Sequence, residues 1–233
     1  MDIYAIGDLH LSASVDKPMD IFGDNWQDHQ EQIVKNWQDI VKDKDIVLIA
    51  GDISWAMSLE EAYMDLETID KLPGYKILIK GNHDYWWQSI NKLNSLYDNM
   101  FFLQNTSYKV GHYGICGSRG WGCPVDGQLD EHNSKIYKRE GKRLELSLEH
   151  AMQAGCKEII VMMHYPPTND KKEDSLYTDL FKNYPVSQVV YGHLHGKESF
   201  NNSIRGIKEN INYTLVSADA INFKPQKILS YNR

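Results

Sequence analysis

Long hydrophobic runs are missing from these 233 residues. No apolar stretch approaches the roughly 18 residues that a membrane-crossing helix requires, so no membrane association is expected. Cysteine is scarce: Cys116, Cys123 and Cys156 form no CxxC pair. That excludes a disulfide framework and a thiolate zinc site, and leaves three reduced thiols that read as small buried hydrophobes. An excess of positive charge is also absent. Lys plus Arg number 25 against 32 Asp plus Glu, a formal net charge of −7, which gives no electrostatic footprint for general nucleic-acid binding. The start, Met1-Asp2-Ile3-Tyr4-Ala5-Ile6-Gly7, carries no cationic stretch ahead of its short apolar run. It reads as a first strand rather than a secretory leader, and a cytoplasmic protein is expected.

What remains is an ordinary globular composition, 42% apolar and 24% charged. No repeat, low-complexity tract or Pro/Gly/Ser-rich linker divides it, so one domain over 1–233 is the simplest reading. Short apolar runs of strand character at Ile3–Ile6, Ile46–Ala50, Lys76–Ile79, Ile159–Met163 and Val189–Tyr191 alternate with helical patterns. Trp26, Ile33, Val34, Trp37, Ile40 and Val41 recur at helical spacing, and Ser58-Leu59-Glu60-Glu61 is a capping-box pattern heading a second helix. Trp86, Ile90, Leu93 and Tyr97 suggest a third, its start capped by Asp84 in the preferred reading, with orientation of His83 as the alternative; Leu144, Leu148, Ala151 and Met152 suggest a fourth, stopped by Gly155. Such alternation predicts a mainly parallel, helix-covered sheet. Consecutive short strands over 101–117 and 203–230 suggest antiparallel additions, enough for a second sheet.

Each of the five apolar runs ends just before a potential metal ligand. Asp8-Leu9-His10 follows the first, Gly51-Asp52 the second, Gly81-Asn82-His83-Asp84 the third, His164 the fourth and Gly192-His193-Leu194-His195 the fifth. Ligands of open α/β sheets bind beyond the carboxyl ends of the strands, so these side chains would share one crevice. Two Asp, one Asn and several His suit Mn, Fe or Zn rather than a calcium cage. They are too many for one ion, and a carboxylate in the middle of the order could bridge two. Such a pair clamps the attacking and departing oxygens of an in-line displacement and makes hydroxide available near neutral pH. Two divalent ions against two Asp and a hydroxide leave the pocket net positive, which suits a phosphate ester.

These motifs, in this order, resemble those of the calcineurin-like metallophosphoesterase superfamily and span residues 8–195. The resemblance implies an α/β, four-layer sandwich, with two mixed β-sheets packed face to face and helices on both outer faces. It implies that Asp8, His10 and His195 bind one metal, that Asn82, His164 and His193 bind the other, and that Asp52 bridges them. It implies two divalent or trivalent ions (Mn, Fe or Zn), a bridging hydroxide nucleophile, and His83 as the general acid that protonates the leaving oxygen. The expected activity is phosphomonoesterase or phosphodiesterase on a small molecule, possibly a nucleotide. The motifs are shared by both classes and leave that choice, and the oligomeric state, open.

Taken singly, His164 would more often be a satisfied buried histidine and an Asp after a strand a helix cap; the joint pattern reverses this. Arg119, in the turn-rich run Gly117–Pro124, could form a bidentate fork to phosphate, with a solvated turn arginine as the ordinary reading. Trp86, Trp87, Trp121 and Tyr165 belong to the core in the ordinary reading, with base stacking as the alternative. The stretch 165–175 reads as a surface loop, with a lid as the alternative. Two rival functions stand beside the enzyme. A scaffold that has lost chemistry is disfavoured because every ligand and His83 are present, and a nuclease is disfavoured by the acidic balance and by the absence of Lys/Arg clusters along the sequence.

Overall fold

Alternation along the strands decides the architecture. The computed structural model describes residues 1–231. In chain order come β1 (Asp2–Ile6), α1 (His29–Ile40), β2 (Ile46–Ile49), α2 (Leu59–Lys71), β3 (Tyr75–Leu78), α3 (Ile90–Leu93), β4 (Met100–Phe102), β5 (Tyr108–Val110) and β6 (Tyr113–Ser118). Then follow α4 (Glu131–Gln153), β7 (Glu158–Met163), α5 (Leu176–Lys182), β8 (Val186–Tyr191), α6 (Lys197–Asn202), β9 (Gly206–Lys208), β10 (Ile211–Leu215) and β11 (Gln226–Ser230). Successive side chains of a strand face opposite ways. Ile3, Ala5, Ile46, Leu48, Ile77, Ile115, Ile160, Met162 and Val190 therefore form one buried layer between two sheets. Tyr4, Ile6, Val47, Ile49 and Leu78 point outward from the first sheet onto Ile33 and Trp37 of α1 and Leu59, Ala62, Leu66 and Ile69 of α2. Cys116, Val161, Met163, Val189 and Tyr191 do the same on the second, against Leu144, Leu148 and Ala151 of α4 and Tyr177 and Phe181 of α5. The result is the four-layer sandwich expected from the sequence.

The first sheet has the order β11-β1-β2-β3-β4 and the second β5-β6-β7-β8-β10-β9. Only β11, β5 and β9 run antiparallel to their neighbours. β4, β6 and β10 join in parallel, whereas the sequence suggested antiparallel additions throughout 101–117 and 203–230. The reason lies in the connections: the long return through α3 and the α4 crossover carry the chain back to the same end of the sheet, as a parallel pair demands.

Local chemistry sets the helix ends. Ser58 accepts from the Glu61 backbone N–H and Glu61 accepts in return from Ser58, which completes the capping box. Asp130 accepts from the Asn133 N–H at 2.9 Å to start α4, and Gly155 takes the left-handed conformation (φ 71°) just past its end. The third expected helix shrinks to Ile90–Leu93. Residues before it are held as turns, because Asp84 draws backbone and indole donors to itself rather than capping a helix. Cys116 and Cys156 are buried and Cys123 partly so, all three as free thiols. No helix among the described residues is long and apolar enough to cross a membrane.

Candidate metal centre

The carboxyl ends of β1, β2, β3, β7 and β8 meet, and the motif side chains meet with them. Asp8, His10 and His195 each place one donor atom within 4.8 Å of the others, and Asp52, His164 and His193 form a second such group. Asn82 Oδ1 joins the second group, 2.6 Å from His164 Nε2. His193 Nδ1 lies 3.2 Å from that same nitrogen. Asp52 reaches both groups: its Oδ2 is 3.4 Å from His164 Nε2 and 3.9 Å from His10 Nε2.

Backbone geometry aims these donors. Asp8, His10, Asp52 and His193 have φ of 56°, 46°, 49° and 72°, the left-handed region that residues with a Cβ adopt at a cost on the order of 1–3 kcal/mol. Packing of the turns over-determines them. Asp8 N–H donates to the Gly51 carbonyl and His10 N–H to Asp52, so the loops after β1 and β2 stay paired. A Cβ at Gly81 would collide with the Asp52 backbone nitrogen, and one at Gly192 with the Asp8 carboxylate. The strand ends approach as closely as they do only because those two positions are bare.

Hydrogen bonds fix which nitrogen of each ring faces the centre. His164 Nδ1 lies 3.0 Å from the Ala50 carbonyl, which can only accept, so Nδ1 carries the proton and Nε2 offers its lone pair. His195 Nδ1 sits 3.0 Å from Asp219 Oδ1, turning Nε2 toward Asp8. His10 leaves Nδ1 buried without a partner. Asp8 accepts the His193 N–H at 2.9–3.0 Å on its two oxygens.

Electrostatics then tests the fit to metal. Burial pushes Asp8 up to about 7, with the Asp52 charge adding to it, and burial also raises Asp52. Burial and neighbouring imidazoles hold His10 well below its ordinary value and bring His164 and His193 down to about 3. His195 goes the other way: burial opposes its charge, but Asp219 and Asp8 together lift it to about 9. Cations among these donors would favour carboxylate ionisation and take up the neutral imidazole lone pairs. The donor chemistry of both groups fits a metal ion.

Over the centre lies a cleft of about 160 Å³ lined by Asp52, His83, His193 and His195, with Trp26 and Trp55 as apolar walls. His83 is on the rim of this cleft. Its N–H donates to Asp52 Oδ1 at 2.8 Å, and its ring stands 4.4 Å from that of Trp55. Trp55 stacks on His10 at 4.7 Å. Asp219 and Trp55 escaped the sequence reading, and Trp26, expected on the first helix, lies in a turn before its start at His29 and walls the cleft instead. Asp219 lies 24 residues beyond His195 in a stretch read only as strands. The two tryptophans carry no motif.

Asp84 is fully buried and accepts from the N–H groups of Gly81, Ile53 and Ser54 and from the Trp86 indole. It ties the β2 and β3 loops together instead of capping a helix. Arg119 stands apart from the cleft, its guanidinium 4.8 Å above the Trp121 ring and 3.7 Å from Glu140. Trp86 and Trp87 are core residues. Tyr165 packs on His193 at 4.0 Å and on Trp121 at 5.1 Å. The 165–175 stretch is pinned by Asn169 to the Pro124 carbonyl at 2.7 Å and by Ser175 to the Pro167 carbonyl at 2.6 Å.

An uncharacterized protein of Methanocaldococcus jannaschii is 35% identical over 83 residues, 35% of this chain. The chain spans just under half (46%) of that relative's length. Among solved structures, phosphopantetheinyl hydrolase (PptH) of Mycobacterium tuberculosis shares the fold over 98% of this chain and 95% of its own, with a TM-score of 0.56 at 13% identity. A protein of unknown function (AQ665) from Aquifex aeolicus aligns over 97% and 95% with a TM-score of 0.47 at 18% identity. The family described as calcineurin-like phosphoesterase matches residues 1–197. The chain thus belongs to the calcineurin-like phosphoesterase family.

Proposed function

We propose that this protein hydrolyses a small-molecule phosphoester at a dinuclear centre. Asp8, His10 and His195 hold one ion, Asn82, His164 and His193 hold the other, and Asp52 is shared. The observation that carries the reading is the convergence of two donor triads from five separate strand ends, with Asp52 in reach of both. Bound Mn, Fe or Zn would supply Lewis acidity, drawing charge from the phosphorus oxygens and lowering the pKa of water. A cytoplasmic setting accords with the reduced thiols.

The chain's own residues do the remaining work. His83, on the rim of the cleft and tethered by its backbone to Asp52, holds the proton that passes to the departing oxygen. Asp219 and the Ala50 carbonyl hold the Nδ1 sides of His195 and His164, so that both Nε2 atoms face the centre. Trp26, Trp55 and Met19 exclude water from the leaving-group side of a cleft whose volume of about 160 Å³ suits a compact ester.

The test is a turnover screen of phosphomonoesters and phosphodiesters with Mn²⁺ added, a phosphopantetheine ester among them. Saturable turnover that a chelator abolishes is the expected result. Silence with both ions bound would favour a scaffold instead. His83→Asn should keep its metal yet lose about 10²–10⁴ in kcat on esters with poor leaving groups, and much less on activated aryl phosphates. Equal losses on both would remove His83 from the acid role.

A further inference from the structure

Beside the metal centre, on the far side of Arg119, lies a recess of about 230 Å³ lined by Lys80, Ser118, Arg119, Arg139, Glu140 and Arg143. Glu140 sits fully buried at its base. One guanidinium satisfies it, with Arg143 Nη1 2.8 Å from Oε1, and Ser118 Oγ donates to Oε2 at 3.0 Å. The Arg119 and Arg139 nitrogens stop 3.7 Å short of Oε1, beyond hydrogen-bond reach. Arg119 Nε is buried with no partner at all. Neutralising a buried carboxylate needs one cation, and here four surround it. Even with Asp84 counted against Lys80, positive charge is in excess in an acidic protein, and guanidinium forks are left unused. A buried donor without an acceptor needs an explanation in a native fold.

We propose that this recess is an anion site for a compact phosphate-type oxyanion, gripped by the Arg119, Arg139 and Arg143 guanidiniums and the Lys80 ammonium. Planar forks match the oxygens of such an anion in pairs. The recess shares a wall with the metal centre. Lys80 precedes the Gly81-Asn82-His83 turn, and the Arg119 carbonyl accepts the N–H groups of His164 at 3.2 Å and Tyr165 at 2.9 Å. Its occupant is either a second anionic group of the substrate or free phosphate, and the chemistry of the grip is the same for both. The site needs no metal and stands apart from the dinuclear reading.

The experiment is calorimetric titration of inorganic phosphate into the full chain, stripped of metal by chelator, at low ionic strength. Saturable one-site binding is expected in the unaltered protein. Arg139→Gln should weaken it about tenfold, the loss expected for a charge-assisted hydrogen bond. That variant leaves the 2.8 Å Arg143–Glu140 pair intact, and an unchanged melting temperature checks its fold. No saturable binding, or equal affinity in the two proteins, would overturn the site while leaving the metal-centre reading untouched. With metal restored, a fall in the variant's kcat/KM ratio of a doubly anionic ester over a simple aryl phosphate assigns the site to substrate. A constant ratio with weaker phosphate inhibition assigns it to free phosphate.

Discussion

Asp219 shows how much one side chain outside the motifs can matter. It orients the His195 ring so that Nε2 faces Asp8, and together with Asp8 it raises that ring to about 9 in the metal-free chain. Partners of this kind typically govern metal affinity by 10–100-fold. Asp219→Asn should therefore weaken binding of the more loosely held ion by about that factor and lower the His195 pKa in the metal-free protein, seen by NMR. An unmoved His195 titration would contradict this positioning role. Lys76 makes a different case. It is fully buried in β3, with its ammonium on the carbonyls of Asp70 and Leu72, and burial lowers its pKa to about 8. A depressed ammonium penalises folding while both states are charged, and the penalty lifts as pH rises from about 8 toward the unfolded value of 10.5. Measured against Lys76→Met, the unaltered chain should gain on the order of 3 kcal/mol of stability across that window. A pH-independent difference in denaturant midpoints would refute the burial argument.

Elements divide into those the sequence announces and those it does not. β1, β2, β3, β7 and β8 were legible because each is a short apolar run ending at a motif, and α2 because Ser58 and Glu61 advertise its cap. Ser58→Ala should cost about 1 kcal/mol in urea denaturation; no change would mean the box is only decorative. The third helix was misjudged because helical spacing from Trp86 to Tyr97 says nothing of Asp84, whose carboxylate takes three backbone N–H groups and an indole across the β2 and β3 loops. Asp84→Ala leaves these donors unpaired, so it should destabilise by several kcal/mol and reduce activity together with stability. The parallel pairing of β4, β6 and β10 was hidden for another reason. Strand direction is set by where the connecting chain returns, a non-local property that short apolar runs do not carry.

At the scale of the whole molecule, two sheets present their carboxyl ends to one place, three motif strands from one and two from the other. The donor residues themselves were readable from the sequence, since their types and order survive without structure. What supports them was not: left-handed backbones at Asp8, His10, Asp52 and His193, the bare positions at Gly81 and Gly192, the orienting Asp219, and the Trp26 and Trp55 walls all depend on distant segments meeting. The sequence put Arg119 forward as a phosphate ligand of the metal centre, and the fold sets it instead in a neighbouring cationic recess, because its turn packs on α4 and Glu140. The central claim concerns how many ions this convergence holds. Equilibrium dialysis against Mn²⁺ measures it directly: the account predicts two ions per chain, one for each donor group, and loss of at least one in Asp52→Asn. A single ion in the unaltered chain, or two retained by the variant, would contradict it.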